Sequence, residues 1–291
     1  MKKRLFPRLA LAALILGIVL TAGCAGRDGA DQSLEIARLR GYFVVGLDDA
    51  FPPMGFRKQA DDKTVRYAIN LDKKAVEKIA ATGELVGFDI DLARKAAEKL
   101  GLKVIFKPVA WDGIIASLNA GDIDMIWNGL SITPERKEQL IFSRPYLDNR
   151  QIIVVKSGSG IGGKADLKGK RVGLQLGSTS DTALHADRSI ALQIGELKRY
   201  PDNLSAMRAL ETGRLDAVIV DEVAGRYHSA RKPGVFAILV DSFGNELYAV
   251  GFRKNATSLR NAIDKVLAEM KQDGSADLIA KKWFGEAIIR K

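Results

Sequence analysis

Three short stretches of the sequence combine residue types able to hold the charged ends of a small molecule. In Thr133-Pro134-Glu135-Arg136 a threonine precedes a proline and an acid, the pattern of a helix start. An arginine in that first turn offers a planar guanidinium beside free backbone N–H groups and the positive end of the helix dipole, which suits a carboxylate. Gly177-Ser178-Thr179 is a second predicted helix start. Asp221 closes the apolar run 215–220, and the carboxyl ends of strands are where open α/β sheets gather ligands. The same inventory offers little for catalysis. Asp221-Glu222 is the only paired-carboxylate signal, no Ser/His/Asp arrangement is apparent, and His185 and His228 lack metal-ligand spacing. No metal, no cofactor and no enzymatic activity are expected.

The elements that must position these residues alternate in type. Past residue 40, short β-rich runs alternate with amphipathic stretches, which implies an α/β fold. Strands are predicted at 42–47, 104–106, 123–127, 151–155, 171–176, 215–220, 235–240 and 247–252. A helix over 89–100 carries Ile90, Ala93, Ala96, Ala97 and Leu100 on one face and stops at Gly101. Asp112 is expected to cap a helix bearing Ile114, Ile115 and Leu118 and ended by Gly121. Residues 203–211 read as helix, and two amphipathic helices, marked by Ile263, Val266, Leu267 and Met270 and by Leu278, Ile279 and Trp283, end the chain. One internal echo stands out: Ser117-Leu118-Asn119-Ala120-Gly121-Asp122-Ile123-Asp124 resembles Ala209-Leu210-Glu211-Thr212-Gly213-Arg214-Leu215-Asp216. Two similar lobes would produce it, with Asn128 and Asp221 near equivalent strand ends.

The N-terminus carries Lys2, Lys3, Arg4 and Arg8, an apolar run over 9–20, then Thr21-Ala22-Gly23-Cys24. This is the layout of a bacterial secretory signal over 1–23, and the apolar run is too short to span a bilayer. Cys24 is the one cysteine, so no internal disulfide is possible. Its place after small residues resembles a lipoprotein box, with Thr21 where that pattern prefers leucine. The resemblance implies lipidation at Cys24 and a lipid-anchored tether over 24–39 on the extracytoplasmic face of the envelope, in the periplasm or at the outer cell surface. The net charge is +10, and the four basic side chains of residues 1–23 account for four of it. The remaining basic residues interleave with acids and form no nucleic-acid motif, so no nucleic-acid partner is expected.

Six strings, in order, resemble the polar amino-acid solute-binding proteins of ABC transporters, the relatives of the histidine-, glutamine- and lysine/arginine/ornithine-binding proteins. They are Val45-Gly46-Leu47-Asp48-Asp49-Ala50-Phe51-Pro52-Pro53, Gly87-Phe88-Asp89-Ile90-Asp91-Leu92-Ala93, Trp111-Asp112-Gly113-Ile114-Ile115, Asn128-Gly129-Leu130-Ser131-Ile132-Thr133-Pro134-Glu135-Arg136 (followed by Phe142-Ser143-Arg144-Pro145-Tyr146), Gly177-Ser178-Thr179, and Asp216-Ala217-Val218-Ile219-Val220-Asp221-Glu222. The resemblance implies a type 2 periplasmic-binding-protein fold: two α/β lobes joined by a two-stranded hinge, with a ligand cleft between them. Residues 40–147 and 248–291 would form the first lobe, with an insertion at about 58–82 that includes a charged helical stretch, and 148–247 the second. The implied function is capture of a free polar L-amino acid of the Arg, Lys, His or Gln type, as a monomer, for delivery to a membrane permease. The implied contacts are Arg136, with Thr179 and its neighbour Ser178, for the ligand carboxylate; Asp221, Ser131 and Gly129 for the ammonium; and Phe51 and Trp111 as side-chain walls. Asp48 would meet the side-chain end. Trp127 and Asn128 stand where many relatives carry small residues, which would narrow the pocket or add an amide contact. Two other readings share the fold: a dehydratase-like enzyme, and a free-standing amino-acid sensor component. The absence of a second apolar span after Trp283 argues against a fused receptor.

Overall fold

The computed structural model describes residues 31–58 and 83–290. The expected signal, Cys24 and nearly all of the insertion lie outside the described residues. The expected tether overlaps them, and there it is corrected. Ser33–Arg40 is a helix with Ala37 fully buried, and it packs on the helix Thr257–Gln272. Ser258 receives a hydrogen bond from Leu34 N–H at its hydroxyl.

Thirteen strands are described, and ten of them form two five-stranded sheets. The first sheet has the order β5-β1-β6-β13-β7, built from β1 (Tyr42–Leu47), β5 (Lys103–Pro108), β6 (Met125–Ile126), β7 (Leu140–Phe142) and β13 (Gly251–Arg253). β1 runs parallel to β5 and β6, whereas β13 is antiparallel to β6 and β7. The second sheet has the order β10-β9-β11-β8-β12, built from β8 (Leu147–Lys156), β9 (Arg171–Gln175), β10 (Glu196–Tyr200), β11 (Ala217–Asp221) and β12 (Phe236–Tyr248). A small antiparallel sheet, β2 (Ala50–Phe51), β3 (Gly55–Lys58) and β4 (Glu84–Val86), lies on the first lobe. The sequence pattern does not reveal this sheet.

Each lobe repeats one device. Asp124 accepts from the backbone N–H of Val44 at 2.8 Å, and Asp216 from that of Arg171 at 2.8 Å. Each aspartate thus ties the start of one strand to its parallel neighbour. Gly46 and Gly173 face Ile123 and Leu215, whose methyls would lie 2.2 Å from an added Cβ in each case. The echo seen in the sequence is therefore a repeated strand–helix–strand packing unit.

The chain passes between the sheets twice, entering β8 and leaving β12. These crossings pair antiparallel, with Leu147 opposite Tyr248, Asp148 opposite Leu247, Asn149 opposite Glu246 and Arg150 opposite Asn245. β12 is one long strand with two register shifts; the expectation of separate strands over 235–240 and 247–252 gives way to it because the irregularities fall between Ile238 and Ser242 and between Ser242 and Asn245, taking up Asp241 while Ser242 and Asn245 stay paired with β8. The strand expected over 123–127 pairs only at Met125–Ile126, since the chain leaves the sheet there to build the site. Asp112 caps nothing: Trp111–Gly113 is a 3-10 turn, and Gly113 precedes the helix Ile114–Asn119.

Candidate functional site

The helix Pro134–Gln139 starts as its sequence predicts, with the Thr133 hydroxyl accepting from Arg136 N–H at 3.2 Å. That cap fixes the backbone from which Arg136 reaches inward. The residue is 9% exposed. It donates to the Ser131 carbonyl at 2.9 Å and to the Gly177 carbonyl of the other lobe at 3.4 Å, and its Cζ lies 5.7 Å from the Trp111 ring centroid. Burial lowers its affinity for its proton, and the nearby Glu246 and Asp221 charges oppose that. An arginine with so few protein acceptors still has N–H groups free for a planar anion.

From the second lobe, the helix Thr179–Ala186 begins after Ser178. Its approach is close: an added Cβ at Gly177, where φ is +72°, would lie 3.2 Å from the Asp112 backbone of the first lobe. Ser131 and Thr179 hydroxyls face each other across the cleft at 3.4 Å. Asp221, the last residue of β11, is buried, and its Oδ1 accepts from Asn149 Nδ2 at 2.8 Å, Gln151 Nε2 at 2.8 Å and the Tyr248 hydroxyl at 2.6 Å. Burial, followed by the neighbouring Glu246 carboxylate, pushes the Asp221 pKa up to about 6.

Asp48 is also buried. It accepts from Ala50 N–H at 2.9 Å and, across the cleft, from Gln175 Nε2 at 2.7 Å. Burial pushes its pKa up to about 6, against those two hydrogen bonds. Gln175 is held in turn by donating to the Pro201 carbonyl and accepting from Asn203 Nδ2 at 2.8 Å.

Nine of the ten residues singled out in the sequence as ligand contacts line one small cavity: Asp48, Phe51, Trp111, Gly129, Ser131, Arg136, Ser178, Thr179 and Asp221. Gln175 completes the lining. The exception is Asn128, whose expected pocket contact is corrected. It lies fully buried beneath the site, where its Oδ1 accepts from Asp48 N–H at 3.0 Å and its Nδ2 fills the space a side chain at Gly55 would need. Trp127 is likewise fully buried and is not among the residues that line the cavity. Gly129, at φ +59°, has no room for a Cβ, which would meet Phe51 at 2.8 Å and Tyr248 at 3.0 Å. Its N–H donates to Asp89 at 2.7 Å.

Gln175, Asn149, Gln151, Glu246 and Tyr248 were not recognised from sequence. One signal was present: each is a polar side chain at a strand end or within an apolar strand, where burial demands a partner. Among the described residues no cluster of His, Cys, Asp or Glu could hold a metal ion, and no helix is long and apolar enough to cross a membrane.

The sequence profile of the bacterial extracellular solute-binding proteins, family 3, matches residues 65–286. The chain belongs to this family. The L-cystine-binding protein TcyJ of Escherichia coli is 31% identical over 279 residues, 95% of each chain. The histidine-binding periplasmic protein of Salmonella typhimurium is 34% identical over 212 residues, 70% of this chain and 81% of that protein. Among solved structures, an ABC uptake transporter substrate binding protein from Streptococcus pneumoniae with bound histidine matches at TM-score 0.79 and 32% identity, covering 90% of this chain and 99% of that chain. The fold of this family-3 chain is accordingly the type 2 periplasmic-binding-protein fold, with the lined cavity between its two lobes.

Proposed function

We propose that this chain is the extracytoplasmic receptor of an ABC importer, binding one free polar L-amino acid and presenting it to a membrane permease. One observation carries the reading: Arg136 from the first lobe and Asp221 from the second line the same small closed cavity. A zwitterion sets a carboxylate against Arg136 and an ammonium against Asp221 at once. Arg136 and the N–H end of the Thr179 helix take the carboxylate. Asp221, Ser131 and the Gly129 carbonyl take the ammonium. Phe51 and Trp111 wall the side chain, and Asp48 accepts from its polar end. Asp48, Asp221 and Glu246 outnumber Arg136, which favours ligands with a cationic or amide side chain, of the Arg, Lys, His or Gln type.

The chain works as a monomer and without chemical turnover in this reading. Residues 40–147 and 248–291 act as one lobe and 148–247 as the other, and the paired crossings of β8 and β12 serve as the hinge between them. Cys24 carries the lipid that holds the protein at the envelope surface.

Calorimetric titration with L-arginine, L-lysine, L-histidine, L-glutamine and L-cystine tests the function. At least one binds, and at a hundred times its Kd raises unfolding free energy by about 2.7 kcal/mol. Arg136→Ala and Asp221→Ala each weaken that ligand by about 100-fold or more, since each leaves a charge buried and unpaired. No binding across the panel by a folded protein, or full affinity in either variant, would falsify the assignment. Turnover of a cyclohexadienyl acid would move it to the dehydratase-like reading.

A further inference from the structure

Glu246 sits on β12, opposite Asn149 in the hinge pairing. It does not line the cavity, yet its Oε2 accepts from the Ser131 hydroxyl at 2.6 Å, from Gln151 Nε2 at 3.0 Å and from Asn149 Nδ2 at 3.2 Å. The same two amide nitrogens donate to Asp221 Oδ1. Two carboxylates therefore share two donors, side by side, at the edge of a closed cleft. Two consequences follow from this geometry. A serine hydroxyl that gives its one proton to Glu246 turns only lone pairs toward the cavity, so Ser131 is set as an acceptor. And two adjoining carboxylates resist being ionised together unless a cation joins them.

We propose that Glu246 is a positioning residue of the ammonium subsite: it orients Ser131, and its charge keeps a proton on Asp221 that leaves to solvent when the ligand's ammonium arrives. The exchange balances. One proton departs from Asp221, one ammonium takes its place, and the charge around Asn149 and Gln151 is unchanged. The inference rests on the amino-acid reading above. The other groups facing the pair are accounted for. Tyr248 from β12 donates to Asp221, and burial and the two carboxylates hold its own hydroxyl proton firmly. Arg136 reaches in from the first lobe. From the helix Thr179–Ala186, Thr179 accepts from Gln151 Nε2 and Ser180 donates to Gln151 Oε1. On the outer side, Arg150 pairs with Glu222 and Arg290 with Asp148. Burial and the Glu246 charge both act on Asp221 in the direction of retaining the proton.

The test is calorimetric titration of L-arginine, L-histidine and L-glutamine at pH 5.5 and pH 8, each in two buffers of different ionisation enthalpy. The buffer dependence counts protons released per ligand. With L-glutamine the wild type releases about one proton more at pH 5.5 than at pH 8 in the limit that the exchange is complete, and with a cationic probe Asp48 adds its own release to that count. Glu246→Gln, which keeps an acceptor for Ser131, cuts that difference at least about twofold, because it removes the charge that held the proton. A merely structural role would change affinity and leave the proton count alone. Binding with an unaltered proton count in Glu246→Gln overturns this inference and leaves the amino-acid assignment standing. Failure of every probe to bind overturns both.

Discussion

Under the proposed function, ligand choice turns on Asp48. Its carboxylate is buried, anchored on its own chain by Ala50 N–H and across the cleft by Gln175. A cationic side chain needs it ionised, and burial has brought its pKa up to about 6. The sign is then fixed: affinity for a cationic ligand is full above that pH and declines by up to about tenfold per unit below it. Asp48→Asn should weaken a cationic ligand by about tenfold or more at pH 7.5 and remove that part of the pH dependence, while changing glutamine binding by less than about threefold. Equal losses for both ligand types would place Asp48 in the architecture of the cleft instead. The difference between Asp48 and Asn128 marks how far sequence reading reached. Both are polar, close to strand ends and within family-like strings, but only three-dimensional packing separates an aspartate at the cavity wall from an asparagine holding that aspartate's N–H. Gln175 escaped notice for the complementary reason: its importance comes from partners 127 residues away at Asp48.

Among the elements, the helix Phe88–Leu100 connects the core to the cleft. Asp89 in its first turn is fully buried and accepts from Gly129 N–H at 2.7 Å and the Tyr146 hydroxyl at 2.9 Å. It thereby pins the turn between β6 and Arg136 on which Gly129 and Ser131 stand. Burial pushes its pKa up to about 7, above its ordinary value of 3.8. A carboxyl raised on folding contributes its full stability below the unfolded value, and that contribution is lost as pH rises through the folded one. Urea unfolding of Asp89→Asn between pH 4 and pH 7 should therefore show a weaker fall in stability than the wild type. The gap approaches about 1.4 kcal/mol for each pH unit over which one proton is lost. Parallel curves would show that Asp89 stays ionised in the fold. Helices with long apolar periods, such as 257–272 and 203–211, were legible because one face is enough to identify them. The small sheet β2–β3–β4 was not, since its strands are two to four residues long and periodicity needs more. The long bent β12 was misread because polar residues at its bulges look like a turn.

At the scale of the molecule, the two lobes meet through apolar packing, as between the Phe56 and Tyr227 rings, and through hydrogen-bonded contacts such as Asp48 with Gln175, Arg136 with the Gly177 carbonyl, and Ser131 with Thr179. These three lie around the cavity, on the surfaces that a bound ligand would touch. Under the proposed function, the location of the whole protein is set outside the lobes, by lipid at Cys24. Cys24→Ser should move the protein from the membrane fraction to the soluble extracytoplasmic fraction without altering ligand affinity, checked by fractionation and titration of the released protein. Retention of the variant on the membrane would exclude lipid at that residue as the anchor. The six family-like strings made this two-lobe architecture readable in advance, because each places a glycine, an acid or an aromatic where the cleft requires it.

The first sheet places β13, one of the last strands in the chain, between β6 and β7. A polypeptide emerging from a translocation channel N-terminus first therefore cannot complete this sheet until about residue 253 is free. The second sheet draws only on residues 147–248, and all of its strands emerge earlier. The lobe encoded in the middle of the chain is thus the one able to mature first, while the half built around the N-terminal segment waits, with the place between β6 and β7 unfilled, for the later residues to arrive.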